Sequence, residues 1–182
     1  MSHTAARSRR VLRVVAAPAL VLSLALSLTA CGGDDDEDQT ASDTTGETSG
    51  DWAPAIETNE EGDVTGLDFS GTAEPGDELE VRVVEEGDGA EVTAGQTIQA
   101  DYWGQGYGTE EPFDESYSRE PFTAQIGVGQ LIQGWDQGLV GVPVGSRVLL
   151  AIPPDLGYGD QDQPGIPGGS TLYFVLDILS AA

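Results

Sequence analysis

The sequence predicts an α+β domain in which an antiparallel sheet of about five to six strands wraps around one short helix. Three observations predict it. From about residue 62 onward, apolar residues alternate with polar or small ones at a period of two, as strands with one buried face do. One segment, Leu131 to Val140, instead carries helical spacing, with Leu131, Ile132, Trp135 and Leu139 on a shared face. The strands do not alternate with helices, so the parallel βαβ rhythm is missing.

Taken in order, the chain of 182 residues opens with a basic stretch holding four of its seven arginines, Arg7, Arg9, Arg10 and Arg13. An apolar run from Val14 to Leu28 follows, then Thr29, Ala30 and Cys31. A basic start, a short apolar core and a small-residue junction describe an export signal over residues 1–30. A spanning helix needs roughly 20 apolar residues, more than this run offers. From Cys31 to about residue 60 the chain is mostly Gly, Ser, Thr, Asp and Glu, including DDDED at 34–38. It offers no core and is expected to be a disordered acidic tether, reaching on the order of 30 Å as a flexible coil. Trp52 stands apart from that composition and receives no role.

The folded domain is expected over 61–182. Leu67 and Phe69 mark a short opening strand, and Leu79, Val81 and Val83 the next, ending at the turn Gly87-Asp88-Gly89. Ile98, Ala100 and Tyr102 form another face, and Phe122, Ala124 and Ile126 lead into the helix. Gly127, Gly129 and Gly141 bracket that helix, and Pro143 stops its continuation. Val148, Leu150 and Ile152 follow, and Leu172, Phe174, Leu176 and Ile178 form the last strand. The loops 112–122, 153–159 and 163–169 are rich in Gly, Pro and polar residues, yet contain Leu156, Tyr158 and Ile166. Large apolar side chains on such loops either line a pocket or cap the open edge of the core.

Charge and composition exclude much. Net charge is −25, with no lysine; without the first thirteen residues, three arginines face 32 acidic residues, a net of −29. Nucleic-acid binding through phosphates needs clustered cations and is not expected. The acidity reads as a solvated, self-repelling surface, and no calcium loop of EF-hand type is present. The one cysteine, Cys31, and the one histidine, His3, precede the domain. The domain therefore has no thiol nucleophile, no imidazole base and no His or Cys metal ligand, and no cofactor is expected. GVGQLIQG (127–134) departs from a dinucleotide-binding glycine loop at Ile132, and no βαβ unit follows it.

As an ordered set, ADYWG (100–104), PFDES (112–116), GVGQLIQGWDQGL (127–139), VGSRVLLAIPPDLGYG (144–159) and STLYFVLDIL (170–179) resemble the FKBP-type peptidyl-prolyl isomerases. The match covers roughly residues 78–180, and its specificity lies in the set. The LTAC ending at Cys31 resembles the lipobox of bacterial lipoproteins, in which the cysteine is lipidated. Together these imply an exported, lipid-anchored isomerase at the extracytoplasmic face of the cell membrane. A monomer is expected, acting on X–Pro segments of exported or unfolded proteins; the family also takes macrolide ligands, and the sequence leaves open whether this chain does.

By motif, the resemblance makes Tyr102 an aromatic wall, Phe113 and Asp114 the family's Phe-Asp pair, and Phe122 a second wall. Leu131 and Ile132 match the pair before Gly-Trp, and Trp135 the tryptophan of the pocket floor. Tyr158 matches the tyrosine whose hydroxyl reaches a ligand carbonyl, Phe174 the phenylalanine of the last strand, and Ile166 the apolar residue of the flap. Arg119 is expected to pair with Asp114. The sequence departs from the family at Ala124, where many members have phenylalanine, and at Gln163, where several have histidine. The 115–120 and 160–169 loops are also slightly short. These departures touch the rim, so they bear on flanking-residue preference before activity. A non-catalytic peptide-binding or chaperone module on the same fold is the alternative.

Overall fold

The computed structural model describes residues 51–182; the export signal, Cys31 and most of the expected tether lie outside the described residues. Eight strands and one α-helix follow in chain order: β1 (Ala55–Thr58), β2 (Val64–Asp68), β3 (Glu80–Glu85), β4 (Thr97–Gly106), β5 (Pro112–Glu115), β6 (Phe122–Gln125), α1 (Gln133–Gly138), β7 (Arg147–Ile152) and β8 (Leu172–Ala181). Six strands form one antiparallel sheet in the order β3-β7-β8-β4-β5, with β6 also paired to β4. This is the expected α+β architecture.

Register explains what reaches the centre. Leu176 of β8 sits opposite Tyr102 of β4 on one side and Val148 of β7 on the other. Period-two alternation then divides the sheet's residues between two faces. One face carries Ile98, Tyr102, Val148, Leu150, Ile152, Leu172, Phe174 and Leu176, packed with Trp135 and Leu139. Close helix packing depends on two glycines. A Cβ at Gly134 would lie 2.5 Å from Ile152, and one at Gly138 would lie 2.9 Å from Leu150.

The opposite face carries Leu149, Ala151, Tyr173 and Val175, and a two-stranded hairpin, β1 with β2, covers it. Here the expected boundary at residue 60 is corrected. Residues 55–58, read as tether, form a strand whose Ile56 pairs with Leu67, and Trp52 packs near Tyr173 with ring centroids 6.4 Å apart. Four residues of weak composition become ordered because the sheet's outer face offers them apolar surface. The opening strand 64–69 thus belongs to this hairpin and not to the main sheet.

Two further expectations are adjusted. The helix is shorter than 131–140: Ile132 is extended (φ −59°, ψ 145°) and serves as its N-cap, so Leu131 and Ile132 precede the first turn. PFDE, read as part of a loop, is a strand because its main chain pairs with Trp103 to Gln105 of β4.

Candidate functional site

A cavity of about 940 Å³ opens on the helix side of the sheet. Trp135 lies in the middle of an aromatic cluster, its ring centroid 5.5 Å from Tyr102, 5.7 Å from Phe122 and 5.1 Å from Phe174. All three contacts are near-perpendicular, the arrangement that ring quadrupoles favour. Trp135 is only 4% exposed, yet it contributes to the cavity lining. Its indole Nε1 is buried without a hydrogen-bond partner.

Each side chain has a positioning cause. Alternation on β4 and β8 turns Tyr102 and Phe174 to this face, while their neighbours Trp103, Tyr173 and Val175 join the other. Gly104 makes room for the rings: a Cβ there would lie 2.7 Å from Phe113 and 2.8 Å from Phe174. The loop before the helix is fixed by Asp136, whose carboxylate accepts from Gly127 N–H at 2.7 Å and Gly129 N–H at 2.6 Å. Both glycines have positive φ, 73° and 76°, which other residues rarely adopt. On the flap, Gln163 and Ile166 exchange main-chain hydrogen bonds of 2.8 and 2.9 Å, and Ile166 reaches the cavity 6% exposed.

One wall is polar behind its ring. The Tyr102 hydroxyl donates to Asp114, Arg119 pairs with the same carboxylate, and Arg119 Nη2 donates to the Tyr102 oxygen at 3.0 Å. Burial, reinforced by the bond to Asp114, pushes the Tyr102 phenol well above its ordinary range, so it stays a neutral donor.

Of the residues carried over by motif, Tyr102, Phe113, Asp114, Phe122, Leu131, Ile132, Trp135, Tyr158, Ile166 and Phe174 all line this cavity. Arg119 does not. It lines an adjoining recess of about 460 Å³ that shares Tyr102, Asp114 and Phe122 with the main cavity. The pairing of Arg119 with Asp114 forms despite the shorter bulge. Gln163, noted as a departure, is part of the lining, as are Gln130, Gln133 and Pro164, which were not singled out. The signal for these was their place beside the apolar positions, Gln130 and Gln133 flanking Leu131 and Ile132, and Pro164 lying two residues before Ile166.

Chemically, the cavity is an apolar box with a neutral phenol, an exposed tyrosine (Tyr158) and amide side chains toward its rim. Its one lining carboxylate, Asp114, is already bonded to Tyr102 and Arg119. Such a site can enclose a compact apolar ring and orient its polar ends; proton transfer and covalent attack have no evident agent.

Comparison with known proteins points to one family. The FKBP-type peptidyl-prolyl cis-trans isomerase family matches residues 89–179. The chain is similar to the FK506-binding protein of Streptomyces anulatus, 44% identical over 117 residues that cover 63% of this chain and 94% of that relative. It is also similar to FK506-binding protein 2B of Rhizopus delemar, 42% identical over 124 residues, 65% of this chain and 59% of the relative. Among solved structures it resembles AtFKBP13 (TM-score 0.52, 38% identity, covering 57% of this chain and 93% of that one). FkpA from Escherichia coli gives the same TM-score of 0.52 at 36% identity, covering 57% of this chain and 47% of the other.

Proposed function

The chain belongs to the FKBP-type peptidyl-prolyl cis-trans isomerase family, and on that premise we propose that the Trp135 cavity is its proline site and that it serves exported proteins. The observation carrying the site reading is the aromatic box, with Trp135 ringed by Tyr102, Phe122 and Phe174 at 5.1–5.7 Å.

Rotation about an X–Pro bond must cross about 18–20 kcal/mol, and unaided it takes tens of seconds or longer. The planar amide is stabilised by charge-separated resonance, and twisting removes that polarity. An apolar enclosure therefore favours the twisted form over the planar one, which is the differential binding that catalysis requires. In this reading the proline ring rests on Trp135 between Tyr102, Phe122 and Phe174. The Tyr158 hydroxyl and the Ile132 main-chain N–H donate to peptide carbonyls and fix their direction. Asp114 organises Tyr102 and Arg119; Phe113, Leu131 and Ile166 close the sides. No step needs an acid, a base or a cofactor, consistent with the residues that line the cavity.

Macrolide binding is proposed by analogy with the Streptomyces anulatus and Rhizopus delemar relatives, which are FK506-binding proteins. Export and lipid attachment at Cys31 are proposed from the sequence signal alone, and acyl labelling of the native chain against Cys31→Ala tests them. The site reading is tested by the isomerisation rate of a short X–Pro peptide. Tyr158→Phe is expected to lower kcat/KM by roughly tenfold, a lost orienting hydrogen bond, while melting at the wild-type temperature, since Tyr158 is 40% exposed. Unchanged turnover in both Tyr158→Phe and Trp135→Ala would sink the assignment. Client binding without acceleration would instead favour a chaperone module.

A further inference from the structure

The edge of β4 beside the cavity has an interruption. Thr97 to Ala100 pair with β6, and Trp103 to Gln105 pair with β5, which leaves Asp101 and Tyr102 without a strand on that side. Ser116, 1% exposed, fills the interval: its N–H donates to the Tyr102 carbonyl at 2.9 Å, and its Oγ accepts from the Tyr102 N–H at 2.9 Å. The Ser116 hydroxyl proton goes to Asp101 at 3.0 Å, and the Ser116 carbonyl accepts from Arg119 N–H at 2.9 Å. One residue thus holds the backbone of Tyr102 and the turn that carries Arg119.

The next residue is attached to the far side of the sheet. Tyr117 packs with the outer-face cluster, and its hydroxyl donates to Asp177 Oδ2 at 2.9 Å. Asp177 is gripped by Arg147 through two bonds of 2.6 Å, and Arg147 also donates to the Gly62 carbonyl at 2.8 Å. The Arg147 and Asp177 side chains are 14% and 24% exposed, so this anchor is sheltered, whereas the Arg119–Asp114 pair on the cavity side is 53% and 49% exposed. An exposed pair holds little by itself. Gly62 lies in the β1–β2 turn, outside the region 89–179 that matches the family.

We propose that Tyr117 is a positioning residue for the isomerase site, fixing the Tyr102–Asp114–Arg119 wall from the opposite face of the sheet through its bond to the Arg147–Asp177 anchor. The inference rests on the cavity being the proline site. Without the Tyr117 hydroxyl the turn 116–121 keeps its sheet contacts but loses its outer fixture, so Arg119 wanders relative to Asp114, which β5 holds, and to the bound peptide.

Tyr117→Phe keeps the packed ring and removes only the donor. It is expected to fold and to lower kcat/KM roughly three- to tenfold, short of the ~100-fold that a full 1 Å misplacement can cost. Because it acts through the wall, it is expected to add little in an Arg119→Gln background, a non-additivity that a merely structural residue would not produce. Ser116→Ala, which removes the acceptor for Tyr102 N–H, is expected to behave likewise. Activity that depends on Trp135 but is indifferent to Tyr117→Phe, or effects of Tyr117→Phe and Arg119→Gln that simply multiply, would overturn this inference alone. Turnover unchanged in both Tyr158→Phe and Trp135→Ala would overturn the site reading and this inference together.

Discussion

Gly104 and Tyr173, two residues on neighbouring strands, show how much of the site depends on single atoms. Gly104→Ala would place a methyl group 2.7 Å from Phe113 and 2.8 Å from Phe174. The rings must move into the cavity or the strand must bend, at a cost of about 1–3 kcal/mol for overpacking. The expected outcome is a peptide KM raised by more than the melting temperature would suggest, read from paired kinetic and thermal measurements. Tyr173 is fully buried, and burial pushes its phenol up to about 12, against about 10 in the unfolded chain. The folded state thus retains a proton that the unfolded chain releases. The resulting stabilisation is complete below about pH 10 and disappears as the pH rises toward 12. Tyr102 and Tyr117 are shifted the same way, also chiefly by burial. Alkaline scans of Tyr173→Phe should therefore show a shallower loss of melting temperature above about pH 10 than the wild type. At neutral pH the variant should be slightly less stable, because the Trp52 carbonyl loses its 3.1 Å partner.

At the scale of the element, α1 illustrates what periodicity can and cannot convey. The shared face of Leu131, Ile132, Trp135 and Leu139 correctly marks the apolar side, but the helix itself covers only Gln133 to Gly138. Its ends depend on Ile132 being extended and on the Asp136 carboxylate reaching back nine and seven residues to Gly127 and Gly129, contacts that spacing alone does not encode. Two glycines in a six-residue helix look unfavourable by propensity, and Gly134→Ala should gain about 1 kcal/mol on that ground. The structure predicts the reverse sign. Contact with Ile152 at 2.5 Å makes overpacking, at about 1–3 kcal/mol, the larger effect. Chemical denaturation of Gly134→Ala decides between them. Asp136→Asn keeps one acceptor and turns an amide toward the second N–H, so a loss of about 1.5–3 kcal/mol is expected, the scale of charge-assisted bonds. The strand β5 escaped the sequence reading because its pairing partner, Trp103 to Gln105, is supplied by another part of the chain.

For the whole molecule, the largest feature absent from the sequence reading is the second core on the outer face. The aromatic pocket residues were legible because they recur in ordered motifs. The hairpin was not, since the nonpolar run Trp52 to Ile56 is short, is broken by Pro54 and follows a polar stretch, and its partners, Tyr173 and Leu149 among them, lie far along the chain. A buried amide joins the two parts. Gln105, 0% exposed, accepts from Leu67 N–H at 3.2 Å and Trp103 Nε1 at 2.8 Å, and donates to the carbonyls of Leu67 at 3.2 Å and Thr109 at 2.6 Å. Gln105→Leu would strand these groups at about 1–3 kcal/mol for each one left unpaired. Loss of cooperative unfolding for the hairpin, followed by hydrogen exchange at Leu67, is the expected result.

The hairpin also sets the direction in which the domain can be handled. Asp51 pairs with Arg82 of β3 at 2.6 Å, and the Trp52 carbonyl receives the Tyr173 hydroxyl, so the chain arrives at the domain on its outer face. The cavity opens on the other. A bead or chip coupled through Asp51 would therefore meet the domain from behind, leaving the mouth open to a passing polypeptide.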